Sequence, residues 1–270
     1  MYIGAIIKEK AIDWLTTTTY PRLTNLKKEG FLIWHHGRCG STVLGNMLRQ
    51  HPQVRMYGER FERYARMQRQ RPNFAADLKW LQMLSGQHLT GFEIKGLPCQ
   101  QLPHLEVGLD GFLQTIRELG FERGVFLDRR NTLRKIVSVQ IVDQGIRKSY
   151  NSRKSSPLKG KVVIDLNRVR ILGKYASLLE MLDYINSETE AARQIMKEHY
   201  DFLPLFYEDH IQEDPNNAYK AVQEHLFLSP YDAQVKLKRV NTKSLKEIIG
   251  NFDEVADLLS GTEYAWMLES

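Results

Sequence analysis

Four consecutive apolar residues, Phe31-Leu32-Ile33-Trp34, run straight into His35-His36-Gly37-Arg38-Cys39-Gly40-Ser41-Thr42. A short apolar run without polar alternation suits a strand covered on both faces, as in a sheet with helices on either side. Over residues 43–50 the spacing changes: Val43, Leu44, Met47 and Leu48 fall on one side of a helix, and His51-Pro52 ends it. A buried strand, a glycine-bearing loop and a helix, in that order, point to an α/β chain.

The pattern repeats downstream. Residues 54–57, 89–94, 124–127 and 202–207 read as further strands. Residues 61–70, 74–84, 111–119, 131–142, 166–200, 217–226, 243–249 and 252–259 carry helical spacing. Alternation of this kind predicts a three-layer α/β/α fold with a central, mainly parallel sheet. The 270 residues suffice for one domain, with 1–30 as an N-terminal extension. Residues 145–161, basic and rich in Ser, Gly and Pro, read as a mobile loop.

Composition excludes several classes. The two cysteines, Cys39 and Cys99, are too few for a disulfide scaffold. No Cys/His cluster has metal-ligand spacing, and the neighbours His35 and His36 point to opposite faces of a strand, so no metal is expected. No apolar run approaches the ~18 residues of a membrane span. The start lacks a basic leader and a cleavage site, and the expected location is the cytoplasm. The net charge of +6 favours an anionic partner. There is no basic tail or nucleic-acid-binding signature, so a nucleic acid is not expected. Nothing in the sequence fixes the number of subunits.

Ligands of parallel α/β folds bind where strands end, which directs attention to residues 37–42. Glycines at 37 and 40 let the backbone turn so that successive N–H groups face one anion. The helix that follows adds unsatisfied N–H groups and a partial positive charge. Arg38 supplies a full charge, and Ser41 and Thr42 supply hydroxyls. The plainer reading is a tight turn with an N-cap; the preceding buried strand and the Arg favour a phosphate or sulfate. An ATP-binding loop of the Walker type needs Lys directly before Ser or Thr, and Gly40 stands there. Cys39 as a nucleophile lacks a visible partner.

With its basic residue ahead of Gly-Ser-Thr, this loop resembles the 5′-phosphosulfate loop of the sulfotransferase family, with Cys39 where Ser is usual. A second segment strengthens the resemblance. Asp128-Arg129-Arg130-Asn131-Thr132 follows the fourth strand, and Ser138 lies eight residues after Arg130. That is similar to the family's 3′-phosphate motif; spacing favours Arg130, with Arg129 as the alternative. Arg offers a bidentate fork and Ser a hydroxyl. By itself this stretch would read as a solvated basic face. The chain looks closest to bacterial members that act on carbohydrates.

The resemblance implies a P-loop-like sulfotransferase fold and a sulfuryl donor, 3′-phosphoadenosine-5′-phosphosulfate (PAPS), with adenosine 3′,5′-bisphosphate as product. It implies a small-molecule or glycan acceptor. Gly37, Arg38, Cys39, Gly40, Ser41 and Thr42 would hold the 5′ end, and Arg130 and Ser138 the 3′-phosphate. Arg239 and Asn241, with Lys238 in reserve, would close over that phosphate. Tyr57-Gly58-Glu59 resembles the family's Gly-Glu segment, making Glu59 the expected general base, with Arg38 stabilising the leaving oxygen. Glu59 also reads as a helix N-terminal carboxylate, and His35 and His36 are rival bases. Residues 205–210 resemble a capping segment of the family. Lys95 and the basic stretch 60–71 stand where an acidic acceptor would be met, but charges on helix surfaces are ordinarily solvated and receive no role. Two other readings are a P-loop nucleotide kinase or hydrolase, and a non-catalytic anion- or nucleic-acid-binding protein.

Overall fold

The computed structural model describes residues 29–146, 158–171, 174–237 and 243–269. The expectations for 1–28, for 147–157 within the basic loop, and for Lys238, Arg239 and Asn241 lie outside the described residues.

The apolar run becomes β1 (Gly30–His35), buried along its whole length. It is followed by α1 (Ser41–Leu48), β2 (Val54–Glu59), α2 (Glu62–Met67), α3 (Phe74–Ser85) and β3 (Leu89–Lys95). Then come α4 (Leu109–Glu118), β4 (Phe121–Asp128) and α5 (Thr132–Asp143). A small antiparallel pair, β5 (Val169–Ile171) and β6 (Lys174–Ala176), leads into α6 (Leu178–His199) and β7 (Asp201–Phe206). The remainder holds α7 (Tyr207–His210), α8 (Pro215–His225), α9 (Leu245–Ile248) and α10 (Phe252–Leu259).

The main sheet has five strands in the order β2-β3-β1-β4-β7, every pair parallel. β1 is buried on both faces, as its composition requires. Phe31 and Ile33 pack with Leu44 and Met47 of α1 and Tyr219 and Val222 of α8. Leu32 and Trp34 pack on the other face with Leu78 of α3, Phe112 of α4 and Met196 of α6. Full burial of such side chains stabilises by roughly 1.5–3 kcal/mol each. The expected three-layer α/β/α arrangement is thus present. A third apolar cluster joins α5, the first half of α6, β5, α9 and α10.

The long helix expected over residues 166–200 is shorter. Val169 and Ile171 are buried with Arg170 exposed between them, a strand alternation. The helix starts at Leu178, where Ser177 and Glu180 form a reciprocal capping box.

After β1 the chain moves to one side of the sheet, through β2 and β3. After β4 it moves to the other, to β7. The direction reverses at β1 and β4, so their carboxyl ends flank the crevice where such folds bind ligands. Register places Glu59, Lys95, His35, Asp128 and Phe206 along that same edge.

Candidate active site

The loop after β1 is built from left-handed residues: Gly37 has φ 86, Arg38 φ 59 and Gly40 φ 90. Left-handed backbone beside right-handed residues, as at Gly40 before α1, is the local geometry from which anion-binding nests are built. Gly40 caps α1 with no side-chain cap bond. A Cβ there would stand 2.9 Å from Ile211, so only glycine fits without displacement. Gly40's carbonyl accepts from Val43 and Leu44. The N–H groups of Ser41 and Thr42 have no acceptor among the described residues. Ser41 is buried and Thr42 exposed. Cys39 is buried among Ile33, Leu44 and Ile211.

The second motif meets the first. Arg38 Nε donates to Ser138 Oγ at 2.7 Å, across one hundred residues of sequence. Ser138 is buried on α5, which Asn131 caps by accepting the Arg134 N–H at 2.8 Å. The first loop therefore touches Ser138 of the second segment, beside the ends of β1 and β4.

Arg130 sits at the exposed end of β4 and forks onto Asp209, with Nη1–Oδ1 at 2.6 Å and Nη2–Oδ2 at 2.5 Å. Its guanidinium lies over Phe206, 4.1 Å from the ring centroid. Arg129 lies over Tyr207 and 3.8 Å from Glu208. Glu208 accepts the backbone N–H groups of Arg130 and Asn131, at 3.1 and 3.2 Å. The segment expected to cap the next element also joins the end of β7 to the end of β4 and contacts both arginines.

Glu59 ends β2 just past Gly58, whose φ is 67, at a register irregularity against β3. Its carboxylate pairs with Lys95 Nζ at 2.7 Å, and the same ammonium reaches Glu62 at 3.0 Å. Gln101 also donates to Glu62, at 3.0 Å. Burial alone would lower the Lys95 pKa; Glu59 and Glu62 outweigh it, so the ammonium is held above its ordinary value. Lys95 received no role from sequence because its partners come from two other elements.

His35, Glu59 and Glu93 bring one ligand atom each within 4.8 Å of one another. The hydrogen bonds favour another use. His35 Nδ1 accepts the Gly37 N–H at 2.9 Å, so the ring proton belongs on Nε2, which faces Glu93 Oε2 at 3.4 Å. A cation would need the Nε2 lone pair, and two N–H groups would then oppose each other at Nδ1. The trio links His35 to buried Glu93 beside Glu59.

His36 follows on the opposite side. Its Nδ1 lies 2.9 Å from Thr189 Oγ1, and that hydroxyl donates to the Ile185 carbonyl at 2.5 Å. The hydroxyl proton is thereby used, so His36 Nδ1 is the donor. Burial first, then Lys135, His35 and Arg193, hold the His36 pKa well below its ordinary value, and the ring is neutral. Below it lies an ionic group: buried Asp128 bonds Lys135 at 2.8 Å and Arg193 at 3.3 Å.

The comparisons with known proteins add little. No family model matches the chain, and no curated protein matches it. Among solved structures, it is similar to a sulfotransferase from Alicyclobacillus acidocaldarius, with 11% sequence identity and a TM-score of 0.47. That likeness covers 90% of this chain and 95% of the other. Function is therefore read from the site.

Proposed function

We propose that the chain is a sulfotransferase that moves a sulfuryl group from PAPS to a hydroxyl of a carbohydrate, glycolipid or small metabolite. The observation that supports this reading is the Arg38–Ser138 hydrogen bond, which links the loop read as a 5′ cradle to one residue of the segment read as a 3′ cradle. A nucleotide with oxyanions at both its 5′ and 3′ positions needs two such cradles. The donor set fits: left-handed backbone at 37, 38 and 40, the N–H groups of Ser41 and Thr42, which have no acceptor among the described residues, and two polar side chains between the motifs. The bound donor supplies an activated sulfuryl group.

The residues would divide the work as follows. Gly37, Cys39 and Gly40 shape the nest, while Ser41 and Thr42 donate to the 5′ oxyanions. Arg38 neutralises the charge that develops on the bridging oxygen as the sulfur–oxygen bond breaks. Ser138 and Arg130 hold the 3′-phosphate. Asp209 occupies the fork of Arg130 in this structure, so phosphate binding would compete with that carboxylate. Arg239 and Asn241 would add to the same end. Glu59 accepts the proton of the acceptor hydroxyl as its oxygen bonds to sulfur from the opposite side. Lys95 holds that carboxylate at the strand end.

A nucleotide kinase or hydrolase is disfavoured, because Gly40 stands where such a loop needs Lys. The test is transfer of labelled sulfuryl from PAPS to a panel of hydroxyl acceptors. Wild type should label at least one. Glu59→Gln should lose ~100-fold or more in turnover while still binding adenosine 3′,5′-bisphosphate. Full activity in Glu59→Gln would reassign the base.

A further inference from the structure

In the segment after Glu59, two arginines, Arg60 and Arg71, approach one carboxylate, and Arg63 packs on the tyrosine beside it. Asp77, fully buried at the start of α3, takes a two-point contact from Arg71, at 2.9 and 2.8 Å. Arg60 approaches the same carboxylate only to 3.8 Å. Arg63 reaches no carboxylate among the described residues; it lies 4.5 Å over the Tyr64 ring and donates to the Tyr64 hydroxyl. Tyr64 in turn donates to Asp77 at 3.3 Å.

Asp77 needs one cation, and Arg71 supplies it in the strongest geometry. Arg60 and Arg63 are surplus. Both are largely covered, and the Nε of each is buried with no hydrogen-bond partner among the described residues. Burial, and then repulsion by Arg63 and Arg71, push the Arg60 pKa below its ordinary value despite Asp77. A covered pair of guanidiniums with unused donors, only one of them near a carboxylate, is costly to maintain unless an anion completes it. Solvated helix-surface arginines would extend into water; these are packed against Tyr64 and Asp77.

Location fixes what the anion belongs to. Arg60 is bonded directly to Glu59, and Arg63 lies on α2 one residue after Glu62, which shares Lys95 with Glu59. The patch thus lies one to four residues along the chain from the expected base, on the segment that leads from β2 into α2. It is a different part of the site from the nest at residues 37–42.

We infer that Arg60 and Arg63 form an oxyanion subsite for the acceptor, so that the substrate is a hydroxyl compound already bearing a carboxylate, phosphate or sulfate group. This rests on the sulfotransferase reading of Glu59. It excludes purely neutral sugars as the preferred substrates.

The experiment uses the full chain with PAPS and three probes: p-nitrophenyl β-D-glucuronide, p-nitrophenyl β-D-glucoside and its 6-phosphate. Adenosine 3′,5′-bisphosphate binding by the wild type is measured in parallel. Wild type should use at least one charged probe with kcat/KM about tenfold or more above the neutral glucoside, and the two charged probes identify the preferred oxyanion. That preference should fall to within about twofold in Arg60→Gln with Arg63→Gln, whose fold is checked by thermal unfolding. Equal use of neutral and charged probes by wild type, or use of none of them, would overturn the inference, whatever the variants do. So would a preference that survives both substitutions. Retained bisphosphate binding in those cases would leave the sulfotransferase reading standing; loss of bisphosphate binding and of transfer to every probe would bring down both. Binding of a mixed-sequence oligonucleotide that depends on Arg60 and Arg63, without discrimination among the glycosides, would assign the patch to nucleic acid and overturn it too.

Discussion

His36 shows how one hydrogen bond sets the chemistry of a side chain. Thr189 gives its proton to a backbone carbonyl, so His36 must donate from Nδ1, and burial keeps the ring neutral. The folded pKa is depressed relative to the unfolded chain, where His titrates near ~6.5. The folded state therefore binds fewer protons below that pH, and stability falls as pH drops through the unfolded value. Above it the contribution is constant. The slope approaches about 1.4 kcal/mol per pH unit at most. Urea unfolding at pH 7.5, 6 and 5 should show wild type losing more stability on acidification than His36→Gln. Parallel losses would mean that His36 is protonated at no cost in the fold. His35 differs: its Nδ1 accepts a backbone N–H, so its remaining proton faces Glu93. Adjacent histidines, one on each face, thus use Nδ1 in opposite ways, His35 accepting there and His36 donating.

At the scale of elements, the turn from β1 into α1 carries the most constraint. Gly40 combines a φ of 90 with a close approach to Ile211. Gly40→Ala should destabilise by about 1–3 kcal/mol, read as a lower denaturant midpoint with unchanged m. It should also weaken bisphosphate binding, because the N–H groups of the nest re-aim; a variant with wild-type stability and affinity would show that the left-handed turn is dispensable. The strand, loop and helix of this unit were legible in sequence because each has its own signature: an unbroken apolar run, glycines at 37 and 40, then helical spacing. The pair β5 and β6 was not. Val169 and Ile171 alternate over only three residues and adjoin a genuine 22-residue helix, so one long helical period absorbed them. The capping box at Ser177 and Glu180 was the available signal for the true start.

For the molecule as a whole, strand order decides which residues meet, and no local pattern encodes it. Residues 37–42 were readable as an anion-binding loop from their own chemistry, whereas Arg130 and Ser138 were singled out only by the resemblance. Their junction, Arg38 on Ser138, depends on β1 lying beside β4. The pairing of Lys95 with Glu59 and Glu62 depends on β3 lying between β1 and β2, and was invisible for that reason. The contact of Glu208 with the backbone of Arg130 and Asn131 likewise needs β7 beside β4. The central claim is that one nucleotide spans both cradles. Calorimetry with adenosine 3′,5′-bisphosphate tests it, using wild type, Arg38→Ala, Ser138→Ala and the double variant. The predicted result is a single site in wild type, weakened roughly tenfold or more by each substitution, with the double variant losing less than the product of the two. A wild type that ignores the bisphosphate, or that binds ATP with magnesium more tightly, would contradict it.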